Sequence, residues 1–195
     1  MLVKYSERPW KAQTHNIRLV TYNKCGGNRD NMKAYIMIGH IGSGKSSWSQ
    51  MMAGMDQSLI RISHDDIRKM IKDRYVYVVQ YESLVDAFTE TMVREAILKG
   101  FNVIIDDCHL TKESRLRICR FIHTINPKME IIYVWVKGNI EEGLQRRINE
   151  PYDYVNPDFV WHQVSKRHKA IFQRPYLGEN EYSKDMIVVQ NAKSN

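Results

Sequence analysis

Ala34-Tyr35-Ile36-Met37-Ile38-Gly39-His40-Ile41-Gly42-Ser43-Gly44-Lys45-Ser46 sets an apolar run directly before a loop of the form G-x-x-x-x-G-K-[ST]. Ser47-Trp48-Ser49-Gln50-Met51-Met52 then reads as the start of a helix, so the motif has the strand–loop–helix setting it requires. The glycines let the backbone curl until several N–H groups face one centre, and the helix N-terminus adds a partial positive charge there. Such a cradle suits the phosphates of a nucleoside triphosphate. In this pattern Lys45 reaches the β- and γ-phosphates and the Ser46 hydroxyl holds Mg²⁺. The candidate nucleotide-binding residues are Gly39, Gly42, Ser43, Gly44, Lys45, Ser46 and Ser47.

Outward from this loop, apolar runs and helical patterns alternate. Strands are expected at Tyr35–Ile38, Leu59–Ser63, Asn102–Asp106, Glu130–Val136 and Met186–Gln190. Helices are expected near Lys45–Ala53, Asp66–Lys72, Tyr81–Lys99, Lys112–Ile125, Ile140–Asn149 and Asp158–Gln173. The third is the clearest, because Leu84, Val85, Phe88, Met92, Ala96 and Leu98 recur at helical spacing and Gly100 ends it. The alternation predicts an α/β fold: a mainly parallel sheet of five strands with helices on both faces. Pro151 to Pro157 brackets an irregular insertion.

At 195 residues the chain has the length of one domain with a sizeable core. Its three cysteines show no C-x-x-C spacing, which points away from a disulfide framework or a zinc site. No stretch approaches the roughly 20 apolar residues of a membrane span. The first residues lack the apolar centre of a signal peptide, so a cytoplasmic protein with no membrane partner is expected. Net charge is +7, and residues 1–33 carry seven basic side chains against two acidic ones. The expected organisation is therefore a basic extension over 1–33 and a nearly balanced domain over 34–195, with a lid region at about 138–157. A basic arm suits a polyanionic partner, or is simply a solvated extension.

Ligands of doubly wound sheets gather at the carboxyl ends of the strands, and two acidic pairs lie there. Asp65 and Asp66 follow the second strand, across the phosphate site from the glycine loop. Asp65 is placed to accept a proton from an attacking hydroxyl, although either aspartate also fits an N-cap. Arg68, one turn on, suits an acceptor phosphate or a surface ion pair. Asp106 and Asp107 end the third strand in the manner of a Walker B segment, whose aspartate handles Mg²⁺ directly or through water. Arg146 and Arg147 follow the fourth strand on a short helix, where a lid carrying cations over the departing charge belongs.

From about Lys33 to Leu177 the sequence resembles the kinase domain of the 5′-hydroxyl polynucleotide kinases, the end-healing enzymes of phages and bacteria. The resemblance rests on Gly42-Ser43-Gly44-Lys45-Ser46-Ser47-Trp48, Asp65-Asp66-Ile67-Arg68, Asp106-Asp107-Cys108-His109-Leu110 followed by Glu113-Ser114-Arg115, and the arginine helix. It implies ATP and Mg²⁺ as cofactors and the 5′-hydroxyl of DNA or RNA as acceptor. It gives catalytic roles to Asp65, Lys45 and Arg147, nucleotide contacts to Arg146 and Arg147, acceptor contacts to Arg68, Asp107 and His109, and metal contacts to Ser46 and Asp106. A role in DNA or RNA repair, in the host cytoplasm for a chain of phage origin, is implied as well. The family's second lid arginine falls at Pro151, for which Arg146, Arg167 or Arg174 are substitutes, and its asparagine after the aspartate is replaced by His109. No D-x-D-G-T phosphatase motif follows, so 3′-phosphatase activity is not expected. The same chemistry on another hydroxyl (a hydroxymethyl group of a modified base, a nucleoside or an aminoacyl-tRNA) is the alternative.

Overall fold

The computed structural model describes residues 31–72, 77–149 and 158–190. The basic extension up to residue 30 and the Pro151–Pro157 insertion lie outside the described residues. The order of elements is β1 (Lys33–Ile38), α1 (Lys45–Met55), β2 (Leu59–Ser63), α2 (His64–Lys72), α3 (Val79–Leu98), β3 (Asn102–Asp106), α4 (Lys112–Ile125), β4 (Glu130–Lys137), α5 (Ile140–Asn149), α6 (Asp158–Ile171) and β5 (Ser183–Gln190). The strands form one five-stranded sheet in the order β2-β3-β1-β4-β5. Every pairing is parallel, as the alternation of strands and helices predicts.

Alternation along β1 divides the core. Ala34, Ile36 and Ile38 point to the face covered by α3 and α4, joined by Val103, Ile105, Val85, Val93, Cys119 and Ile122. Tyr35 and Met37 point the other way with Ile104 and Val134, where Trp48 and Met52 of α1 pack. Val-, Ile-rich runs buried on both sides mark the interior strands of a parallel sheet. All carboxyl ends of the strands therefore lie on one edge, which carries the glycine loop, Asp106 and Asp107, and the start of α5.

Several boundaries differ from expectation, and those of α2, β5 and α6 have a reason in the contacts. α2 begins at His64 with no connecting residue, so Asp65 and Asp66 occupy the first turn of the helix and not an N-cap; the Ser63 hydroxyl accepts the Asp66 N–H instead, at 3.4 Å. β5 starts at Ser183 and not at Met186, because Ser183 pairs with Ile131 ahead of a register shift between Ile131 and Ile132. Ser183, Lys184 and Asp185 carry no apolar signal, and only the ladder makes them strand. α6 stops at Ile171, since Gln173 turns to bond the α4 side: its N–H donates to Leu110 O at 2.9 Å and its Oε1 accepts the Lys112 N–H at 2.7 Å. Among the described residues, no helix is long and apolar enough to cross a membrane.

Arg115, a landmark of the sequence motif, proves to be a clamp. Its guanidinium and the Glu179 carboxylate are both fully buried and paired bidentately, at 2.5 and 2.7 Å. It also donates to His109 O at 3.0 Å and Gln173 O at 3.2 Å. One side chain thus fastens the loop after β3 and the α6–β5 connection to α4. Removing one member of a buried pair leaves the other charge unpaired. Arg115→Met is expected to lower the unfolding free energy by about 3–5 kcal/mol in urea titration. The Arg115→Met/Glu179→Leu double variant should recover part of the loss.

Candidate active site

Hydrogen bonding continues one step past the β1–β3 ladder, where the Gly39 N–H donates to Cys108 O at 3.0 Å. A Cβ on Gly39 would lie 2.8 Å from Val136 O, so glycine is needed for this close approach of three chain segments. Gly39 accordingly supports the loop at the sheet edge and is not among the residues that line the cavity described next. Gly42 (φ 64°) and Gly44 (φ 99°) turn the loop through left-handed backbone. Lys45, nearly buried, folds back to donate to His40 O at 2.8 Å.

The loop forms the floor of a cavity of about 510 Å³. Gly42, Ser43, Gly44, Lys45, Ser46 and Ser47 line it, together with Asp65, Arg68, Asp106, Asp107, Arg146 and Arg147. The structure thus brings all but two of the expected site residues together. Besides Gly39, the exception is His109: its ring meets Met37 O at 2.9 Å, burial lowers its pKa, and it faces a separate pocket of about 200 Å³. Of the substitutes for the second lid arginine, Arg146 and Arg167 reach the cavity. Arg174 instead lies over the Trp135 ring, 5.4 Å from its centroid.

Charges in the cavity are paired in a fixed pattern. Asp65 accepts from Arg68 at 2.8 Å through one oxygen and from Arg147 at 3.2 Å through the other. Arg68 is held from behind by Glu82, at 2.6 and 3.0 Å, and Arg147 lies over Trp161, 5.0 Å from the ring centroid. Asp106, with a side chain 2% exposed, accepts through Oδ2 from Ser49 at 2.8 Å and from Arg61 at 2.6 and 2.9 Å. Asp107 pairs with His64 at 3.1 Å and accepts the Cys108 N–H at 2.7 Å. Burial alone would raise the Asp107 carboxyl, but the His64 hydrogen bond and charge hold it well below the usual carboxylate range. Burial works against the His64 imidazolium too, and Asp107 overcomes it, raising the pKa above the ordinary histidine value.

A magnesium ion carried mainly by triphosphate oxygens and water suits this donor set. The Ser46 hydroxyl at the head of α1 and the Asp106 carboxylate, through the oxygen that Arg61 leaves open, would hold it. No cluster of three or more His, Cys, Asp or Glu able to cage a metal occurs among the described residues.

Sequence reasoning missed Arg61, His64, Glu82, Trp161 and His168. His64 adjoins Asp65 and was within reach of a motif reading. Glu82 and Trp161 sit on helices remote from every motif, and no local pattern marks them.

The comparisons with known proteins accord with this geometry. No curated protein matches the sequence significantly. A chain of the Pnkp1/Rnl/Hen1 RNA repair complex is similar at 20% identity and TM-score 0.59, over 72% of this chain and 45% of that one. A fungal RNA kinase is similar at 13% identity and TM-score 0.62, over 85% and 79% of the two chains. Kti12 of Chaetomium thermophilum, in complex with ADP-AlF3, is similar at 13% identity and TM-score 0.54, over 80% and 88%. The chain spans less than half the length of the first of these, and at such identities the likeness is one of fold. That fold is the P-loop kinase fold, which implies nucleotide binding. The family model of the AAA domain matches residues 35–175, from within β1 to beyond α6, and the chain belongs to that family.

Proposed function

We propose that this protein is an ATP- and Mg²⁺-dependent kinase that transfers the γ-phosphoryl group to the 5′-hydroxyl of DNA or RNA. The observation that carries the reading is Asp65: a carboxylate lining the same cavity as the glycine loop and Lys45, with one oxygen on Arg68 and the other on Arg147. A nucleotide-binding module has no need of a carboxylate held at that place by two cations. Two of the similar structures, one from an RNA repair complex and one of an RNA kinase, agree with a polynucleotide acceptor.

In the reaction, loop N–H groups and Lys45 hold the β- and γ-phosphates, and bound Mg²⁺ supplies electrostatic stabilisation of the charge on them. Asp65 takes the proton of the attacking hydroxyl as its oxygen bonds to the γ-phosphorus and the bond to the β-phosphate oxygen breaks. Arg147, which donates to Asp65 and lines the cavity with the glycine loop, would meet the negative charge that moves between base and phosphates. Arg68, held in place by Glu82, faces the acceptor side with the edge that now meets Asp65, and is suited to the acceptor's 3′-side phosphate. Asp107, which lines the cavity beside it, is held from behind by the His64 ring. The test is incubation with γ-labelled ATP, Mg²⁺ and 5′-hydroxyl oligonucleotides, duplexes with hydroxymethyl pyrimidines and free nucleosides. Label at the 5′ terminus is expected; label on an internal base or a nucleoside would overturn the acceptor assignment.

Asp65→Asn keeps the shape of the side chain and removes the base, so kcat should fall by about 10²- to 10⁴-fold. ATP affinity measured by calorimetry should change little; its collapse would give Asp65 a binding role instead. The His64–Asp107 pair makes a second prediction. A raised folded-state pKa means the stabilisation is fully present below the unfolded histidine value of about 6.5 and is lost as pH rises through the higher folded value. NMR titration should therefore place His64 above 6.5, and Asp107→Asn should bring it down.

A further inference from the structure

His168 lies on α6, outside the motifs that mark the site, yet its Nδ1 accepts the N–H of Ile41 in the phosphate loop at 3.0 Å. A ring nitrogen that accepts carries no proton, so this imidazole is neutral and its hydrogen is on Nε2. Burial and the charges of Lys45 and His40 keep it neutral, holding its pKa down to about 4, while Asp107 acts in the opposite sense and Arg167 adds to the lowering. Nε2 has no hydrogen-bond partner among the described residues, and the side chain lines the cavity together with Lys45, Arg147 and Arg167. The ring thus passes a donor on: the loop N–H enters Nδ1, and an N–H is presented from Nε2. Donation into Nδ1 also polarises the ring and strengthens the second N–H.

The position of this donor is fixed from both sides. Ile41 forms a small core with Leu144 of α5 and Trp161 of α6. Gly42 and Gly143 meet backbone to backbone, so closely that a Cβ on Gly42 would lie 2.1 Å from Gly143 O. Across the same loop, His40 bridges Ile41 O and Gly138 O, each at 2.7 Å. His168 lines the same cavity as Lys45, the group that in this motif serves the β- and γ-phosphates, and its ring is tied to Ile41 of the loop, which puts it within the part of the cavity suited to the terminal phosphates.

We infer that His168 is a specificity-determining residue whose Nε2–H donates to the terminal phosphate of a bound nucleoside triphosphate, so that α6 distinguishes triphosphate from diphosphate. This rests on the ATP-binding reading above. Being neutral, the donor recognises the γ-phosphate without adding a further charge that would also retain ADP. Once the phosphoryl group has left, the donor has lost its phosphate partner.

Two amide variants separate this role from support of the loop. A Gln amide reaches the place of Nε2 and keeps the donor, whereas an Asn amide reaches the place of Nδ1 and keeps only the acceptor for the Ile41 N–H. Calorimetric titration with Mg²⁺ and either ADP or a non-hydrolysable ATP analogue is the experiment. His168→Asn should lose triphosphate affinity about tenfold or more, the effect of one hydrogen bond to a charged group, with ADP affinity within about twofold of the original. His168→Gln should retain most of the preference. The opposite order, or equal loss for both nucleotides, would make His168 a loop support and overturn the inference. In the unsubstituted protein, the ¹⁵N resonance of His168 Nε2 should move with the triphosphate and stay with ADP; equal shifts would overturn it even if neither variant folds. Binding of neither nucleotide by the unsubstituted protein is a different result, which would overturn the ATP reading itself.

Discussion

The parallel ladder that holds β1 between β3 and β4 is the constraint on which the rest depends. Ala34 to Ile36 pair with Val103 to Ile105, and Lys33 to Ile38 with Glu130 to Trp135. Because all strands run the same way, the phosphate loop, the Asp106-Asp107 pair and the α5 entry emerge together on one edge. The Gly39–Cys108 bond extends the same pairing into the loops. A slip of one residue would turn every buried side chain of β1 to the opposite face, and would also move the loop relative to Asp107.

Onto this edge the structure adds cations that are already paired. Arg61 with Asp106, Arg68 with Glu82 and Asp65, and Arg147 with Asp65 satisfy one another across β2, α2, α3, β3 and α5. Their contributions differ with burial. Arg61–Asp106 is nearly enclosed, and the loss of one partner would strand a buried charge. Arg61–Asp66 reaches a side chain 50% exposed and contributes little. In the function proposed above, the consequence would be preorganisation: Arg68 and Arg147 are already held by their carboxylate partners and would not have to be ordered afresh to meet phosphate oxygens.

Most of the fold was legible in the sequence because its signals are local. The apolar runs of β2 and β3 gave both strands their bounds, and α4 runs over the expected residues behind its Thr111–Ser114 capping box, whereas the ladder carries β1 back beyond its apolar run to Lys33. The β5 start was not legible, because polar Ser183, Lys184 and Asp185 join the sheet only through pairing with β4. Within the site, the glycine loop, Asp65, Arg68 and Arg147 were legible from motif spacing. Arg115 carried a motif signal too, but a spacing pattern does not distinguish a ligand from a clamp.

The sequence by itself determined the phosphate loop, the alternation of strands and helices, and the acidic pairs at the strand ends, since each depends on residues close together in the chain. Only the tertiary structure decided which groups meet across it. Glu82 stands behind Arg68, Trp161 lies under Arg147, Gly143 rests against Gly42, and His168 takes the Ile41 N–H. Those contacts depend on how α3, α5 and α6 pack on the sheet edge, a matter of distance in space that periodicity along the chain does not encode.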